Sequence, residues 1–243
     1  MRPPRLHHRL LFAALIVQLG VTMLAWDLVS PLLQALLSRR RGSAVGRAGI
    51  SWVFRSFIAS AQALGMMRVD SGALDALCDE PGGLIVAANH PSMLDAVILT
   101  ARLPRGVCVM KAELMRNVFL GAGARLARYI CNDSPRALIR DAAATLREGG
   151  QLVLFPEGTR TVSGPIDPFR PGITRIAQLA QVPIQTVIIE TDSPYLRKGW
   201  PLLRVPPVPI VVRARLGERF MPDADHRATL ARLEAYFAAE LRS

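Results

Sequence analysis

Asn89-His90-Pro91-Ser92-Met93-Leu94-Asp95 follows Leu84-Ile85-Val86-Ala87-Ala88, an apolar run short enough to be a buried strand. Asp95 to Thr100 reads as the opening of a helix. His90, one of four histidines, therefore sits where a strand ends and a helix begins. In α/β folds that edge is where ligands bind. A neutral imidazole can accept a proton from an alcohol near pH 7, and a nearby carboxylate can fix its tautomer and stabilise its charged form. The plainer reading is a loop histidine in a turn, with Asp95 in solvent.

Working outward, a second stretch of the same kind appears. Phe155-Pro156-Glu157-Gly158-Thr159-Arg160 follows another apolar strand candidate, Gln151-Leu152-Val153-Leu154. Together the two stretches resemble the first and third motifs of the glycerolipid acyltransferase family, N-H-x4-D and F-P-E-G-[ST]-R, both complete here. Lys111-Ala112-Glu113-Leu114, Phe169-Arg170-Pro171-Gly172 and Val182-Pro183-Ile184 are further matches. The likeness covers roughly residues 65 to 215 and is similar to that of the bacterial 1-acylglycerol-3-phosphate acyltransferases. One motif departs from it. Where the family commonly has a Phe-Ile-Asp-Arg-like string, with its arginine assigned to the acceptor, this chain reads Tyr129-Ile130-Cys131-Asn132-Asp133. No arginine stands there.

The resemblance implies acyl transfer from an acyl-CoA or acyl carrier protein thioester to the free hydroxyl of a lysophospholipid, with no other cofactor. His90 and Asp95 would be the catalytic pair. No G-x-S-x-G elbow offers an acyl-enzyme nucleophile, which favours direct attack by the acceptor hydroxyl. For a phosphorylated acceptor, Arg160 is the natural clamp, because a guanidinium is always charged and can grip two oxygens. Gly158 would let backbone approach closely, and Thr159 offers a hydroxyl. Glu157, acceptor-only when ionised, would orient Arg160 or a glycerol hydroxyl. Lys111 would add a second positive charge. The expected acceptor is 1-acylglycerol-3-phosphate. Another lyso-lipid, such as a lyso-ornithine lipid or a specialised intermediate, is the nearest alternative, and a non-catalytic lipid-binding module is the alternative of a different class.

Composition points toward lipid as well. The 243 residues carry a net charge of +11, 51% hydrophobic residues and a mean hydropathy of +0.26. Residues 1–70 hold nine arginines against Asp27 and Asp70, a net of +7, beside the most apolar segment. Such clustering suits anionic headgroups. Nucleic acid is the rival partner, but no zinc spacing or RNP-like string occurs and aromatics are only 6%. No metal motif is present. Cys78, Cys108 and Cys131 are odd in number, so free thiols in a reducing compartment are expected.

Pattern and resemblance together imply two regions: N-terminal membrane-anchoring helices in residues 1–70, and an α/β domain, by the resemblance an acyltransferase domain, in residues 71–243. In the first, Arg2, Arg5, His7, His8 and Arg9 precede the apolar run Leu10 to Trp26. Asp27 and Pro31 are expected to interrupt it, and Arg39 to Arg41 to close it. Trp52 to Met67 is a second apolar helix candidate, either a core helix of the globular domain or an interfacial one, and the resemblance favours the second. Together they would hold the chain at the cytoplasmic face of the inner membrane. In the second region, strands over 84–88, 107–110, 129–131, 151–155, 184–189 and 208–214 alternate with helices. The segment 112–128 is expected to be largely helical, Ser134-Pro135 to start a helix, and residues 225–241 to form a final one. This alternation implies a mostly parallel sheet flanked by helices.

Overall fold

A computed structural model describes residues 5–242, so Arg2 lies outside the described residues. Its sheet has seven strands: β1 (Met67–Asp70), β2 (Leu84–Ala88), β3 (Gly106–Met110), β4 (Ile130–Cys131), β5 (Gln151–Leu154), β6 (Ile184–Thr191) and β7 (Ile210–Phe220), in the order β1-β7-β6-β2-β5-β3-β4. The five strands from β6 to β4 run parallel, while β7 is antiparallel to β6 and carries β1 parallel to itself. Every residue of β2 is buried, which is why it reads as an unbroken apolar run rather than an alternating one. The α/β class and the mostly parallel sheet are as expected. The reversed edge ribbon and β1 were not read from the sequence, which had Met67 ending a helix.

Among the described residues seven α-helices connect and cover the sheet: α1 (Leu6–Leu36), α2 (Arg39–Ala63), α3 (Leu94–Arg102), α4 (Gly121–Ala127), α5 (Pro135–Arg147), α6 (Gly172–Ala180) and α7 (His226–Glu240). Ser134 caps α5, its hydroxyl accepting from Ala137 N at 3.4 Å. The segment 112–128 is only partly helical. A short 3-10 turn, Leu114–Arg116, and exposed residues through Phe119 precede α4. Asn117 holds this break, its side chain accepting from Phe119 N and its carbonyl from Gly121 N.

The N-terminal segment differs most from expectation. α1 is one helix of 31 residues that runs through both Asp27 and Pro31. Asp27 does not break it because its carboxylate accepts from Ala122 N at 3.1 Å and Gly123 N at 2.7 Å, in the first turn of α4. Those amides have no partner inside their own helix, so the match satisfies both sides. Proline at 31 forfeits one main-chain bond, and the helix continues. α2 begins at Arg39, within the arginine cluster expected to end the segment, because arginine is a good helix former.

Glycines let α1, α2 and α4 pack closely. A Cβ on Gly46 would run into the backbone of Ala127, and one on Gly49 or Gly123 into the Trp26 ring. Ile50, Val53, Phe57 and Ala61 of α2 are buried, and all but Val53 join the same apolar cluster as the strands. The helices and the sheet thus share one core. α1 is the one helix among the described residues long and apolar enough to cross a membrane, and its outer face leaves Leu10, Val17, Val21, Leu28 and Leu32 exposed.

The tight contact yields a stability prediction. Gly46→Val is expected to lower the melting temperature of the detergent-solubilised chain, because rigid backbone lies where the side chain must go, an overpacking cost of about 1–3 kcal/mol or more. Gly72→Ala, with nothing near its side-chain direction, is the control and should melt close to the parent. Circular dichroism during heating reads both, and equal melting of Gly46→Val and parent would rule out the close α2–α4 approach.

Candidate active site

Because β2, β3, β4 and β5 are parallel, the residues that follow them gather at one carboxyl edge of the sheet. His90 lies just past β2, Lys111 just past β3, Asn132 just past β4 and Phe155 to Arg160 just past β5. β5 is the direct neighbour of β2, which brings the two quoted stretches together. β3 is one strand further out, so Lys111 stands about 10 Å from the β2 line by strand spacing alone.

His90 Nδ1 lies 3.0 Å from Asp95 Oδ2, and Asp95 is fully buried. The same carboxylate oxygen accepts from Ser92 N at 2.7 Å, which closes the turn between strand and helix. With Asp95 ionised, Nδ1 carries the proton and Nε2 presents a lone pair. Phe155 stacks on the imidazole, ring centres 3.8 Å apart and planes 13° from parallel, fixing the direction in which Nε2 points. Burial pushes the Asp95 carboxyl above its ordinary range, against the opposing effect of its hydrogen bonds to His90 and Ser92. A carboxylate so deprived of water gains when the imidazole beside it becomes positive. The pair leaves the Nε2 lone pair turned away from Asp95, free to meet a hydroxyl.

The second stretch holds the first in place. Glu157 is buried, and its Oε1 accepts from His90 N at 3.1 Å and Thr161 Oγ1 at 2.9 Å. Its Oε2 accepts from Asp167 N at 2.9 Å. Thr161 N in turn donates to His90 O at 2.9 Å. The structure therefore gives Glu157 the backbone of His90 as its partner, not Arg160, which the sequence had suggested. Gly158 has a φ of 72°, and a Cβ there would stand 2.5 Å from Arg170 Nε, so backbone conformation and close approach both call for glycine. Arg170 spans this turn, Nε donating to Glu157 O at 3.3 Å.

Arg160 Nη1 donates to the carbonyls of Leu196 at 2.8 Å and Arg197 at 3.2 Å. No carboxylate lies in ion-pair contact with it among the described residues, so its charge is positioned by dipoles and left uncancelled. Leu196 adopts a φ of 57°, a left-handed conformation that costs a leucine roughly 1–2 kcal/mol. Its carbonyl there serves both Arg160 and Met93 N, the latter at 3.2 Å. Thr159 is half-buried and its hydroxyl has no hydrogen bond among the described residues; Lys111 is exposed.

Several supporting residues escaped the sequence. Asn89 bonds both main-chain groups of Ile189 through its amide, Nδ2 to the carbonyl at 2.8 Å and Oδ1 from the amide at 2.7 Å, tying the ends of β2 and β6. Ser92 donates to Tyr195 O at 2.9 Å. Asn89 and Ser92 lie inside the quoted stretch, so adjacency was a usable signal. Leu196 carried no signal, because only the fold brings its carbonyl to Arg160.

The geometry is thus a strand-edge His–Asp pair braced by an F-P-E-G-T-R turn, and residues 74–190 match the family model described as Acyltransferase. The chain is 32% identical over 136 residues to the 1-acyl-sn-glycerol-3-phosphate acyltransferase of Cocos nucifera, covering 53% of this chain and 44% of that one. It is 34% identical over 142 residues to the human 1-acyl-sn-glycerol-3-phosphate acyltransferase alpha, covering 51% and 50%. The match thus spans about half the length of these curated relatives. The fold is similar to the crystal structure of the 1-acyl-sn-glycerophosphate (LPA) acyltransferase PlsC from Thermotoga maritima, with a TM-score of 0.72 at 22% identity over 98% of this chain and 94% of that one.

The environment of Asp95 makes stability depend on pH. The folded chain binds this proton more tightly than the unfolded chain, because burial raises the carboxyl. The stabilisation it gives is present below the ordinary carboxylate range and is lost as pH rises through the raised value, so the ionised group costs stability at neutral pH. Asp95→Asn keeps the shape and an acceptor without the charge. It is expected to melt at or above the parent at pH 7.5, with the difference shrinking at acid pH. Melting lower than the parent by more than about 4 °C at pH 7.5 would show that the carboxylate supports the fold.

Proposed function

We propose that this chain transfers a fatty acyl group from a thioester to the free hydroxyl of 1-acylglycerol-3-phosphate, giving phosphatidate. The observation that carries the reading is the His90–Asp95 pair, with His90 held at both main-chain groups by the turn that also bears Arg160. In this mechanism His90 Nε2 takes the hydroxyl proton as the oxygen attacks the thioester carbonyl. Asp95 stabilises the imidazolium, the C–S bond breaks, and the leaving thiolate recovers the proton from Nε2. The donor is acyl-CoA or acyl carrier protein, and no further cofactor enters. Arg160, hung from two carbonyls by Nη1, keeps its remaining N–H groups for the acceptor phosphate. Thr159 and Lys111 are assigned to the same acceptor, and Glu157 to positioning His90.

The reading also seats the chain on a membrane, at its cytoplasmic face, with α1 and α2 as the anchoring segment. α1 meets the rest of the chain at two points: Phe12 packs edge-on against Tyr195 at 5.7 Å, and Asp27 binds the start of α4. A helix tied down at two points along its length supports lying in the membrane plane over a full span. One observation favours a different acceptor. The place of the family's second-motif arginine holds Asn132, which is exposed and uncharged.

Two variants and a panel test this. His90→Ala is expected to fold and to lose roughly a hundredfold or more in turnover. Lysophosphatidate, lysophosphatidylcholine and lyso-ornithine lipid are offered side by side with both donors. Lysophosphatidate should turn over fastest, and Arg160→Lys should narrow its lead, because a point charge replaces a planar fork. Near-parent turnover by His90→Ala would remove the mechanism. A faster phosphate-free acceptor would remove the acceptor assignment alone.

A further inference from the structure

Between β6 and β7 lies a loop, residues 192–209, with neither helix nor strand. It is nevertheless a braced turn. Trp200 N donates to Arg197 O at 2.9 Å, Trp200 Nε1 to Arg204 O at 3.0 Å, and Arg204 N to Pro201 O at 3.1 Å. The Arg204 guanidinium sits 4.5 Å over the Trp200 ring. At the base, Tyr195 OH donates to Leu202 O, and the Arg197 side chain donates to the carbonyls of Ser193 and Thr191. What this bracing presents to solvent is apolar: Leu202 is 50% and Leu203 72% exposed. Arg197, Lys198 and Arg204 stand exposed in the same loop, against one acid, Asp192, at its foot.

We propose that this loop is a membrane-contact element of its own, inserting Leu202 and Leu203 into a bilayer whose anionic phospholipids meet Arg197, Lys198 and Arg204. The proposal rests on the membrane seating inferred above and adds a second point of contact, next to the reaction centre. A pair of exposed leucines in one short loop with three cations and a tryptophan matches the layering of a bilayer surface, with acyl chains below headgroup charge. An acidic carrier protein would pair with the cations but leave the leucines uncovered. The loop is also continuous with α1, through the edge contact of Tyr195 on Phe12.

Its other connections lead to the site. Leu196 O accepts from Met93 N and from Arg160, Arg197 O accepts from Arg160, and Ser92 donates to Tyr195 O. Met93, 46% exposed, lies in the turn between His90 and Asp95. Insertion of the loop therefore sets the depth at which Arg160 and the His90 turn meet a lipid headgroup. An acceptor would reach Arg160 without leaving the surface.

The test uses the full chain with Cys78 and Cys131 replaced by alanine, Cys108 being buried. An environment-sensitive fluorophore is placed on Leu203→Cys, and in a second protein on Ala228→Cys. Ala228 is exposed near the start of α7, at the opposite edge of the sheet, since the end of β7 at Phe220 pairs with Ile184 at the start of β6. Both proteins are floated with phosphatidylglycerol/phosphatidylcholine vesicles carrying nitroxide-labelled chains. The Leu203 probe is expected to shift to the blue and to be quenched several-fold more than the Ala228 probe, less so on phosphatidylcholine alone. A chain that floats with both probes in water overturns the loop insertion and leaves the anchoring by α1 standing. A chain that does not float overturns both readings. A Leu203 probe that stays aqueous on vesicles and shifts on adding acyl carrier protein overturns the proposal in favour of donor docking.

Discussion

The fold converges on one stitch: His90 N donating to Glu157 and Thr161 N donating to His90 O. Both main-chain groups of the histidine are thereby taken up by a turn that follows a different strand. A buried carboxylate is costly unless its oxygens find donors, and Glu157 finds three. Its charge is thus part of what defines the geometry. The sheet order explains why this is possible, since only strands lying side by side deliver their carboxyl ends within hydrogen-bond reach. Placing β5 next to β2, rather than the sequence-adjacent β3, is what creates the site.

Much of this was legible in the sequence, and the reasons for the rest are physical. β2, β5 and β6 were read nearly as they stand because strands buried on both faces form short apolar runs. α5 was read because Ser134-Pro135 opens it. α1 was misread as interrupted, because Asp27 and Pro31 are unfavourable in a helix by propensity and the amides that donate to Asp27 lie some 95 residues away. α2 was started too late, because Gly42, Gly46 and Gly49 lower local helix propensity and repay it only through contacts with α4 and α1. β1 and the direction of β7 depend on pairing, which no local pattern records. Within the site, His90 and Asp95 were legible as a pair. The partner of Glu157 was not, because a carboxylate and an arginine three residues apart invite an ion pair on paper that the turn does not make.

Arg160 shows the same logic applied to a cation. It is held by carbonyls rather than by an acid, and one of those carbonyls belongs to a leucine in a left-handed conformation. Strain at such a position persists only where surrounding contacts over-determine it. Here they do: Met93, Arg160 and Tyr195 all bond within the same few residues. The charge stays whole because the means of holding it is neutral.

The Asp27 contact constrains how the chain matures. A carboxylate midway along an apolar helix has no donor in hydrocarbon, and its first partners are the amides opening α4. α1 emerges from synthesis well before those amides exist. For a chain that meets a bilayer, the helix is a poor candidate for early, independent insertion and a good one for arrival as part of an already packed body. A single acidic side chain thus ties the apolar helix to the packed body rather than leaving it to stand alone.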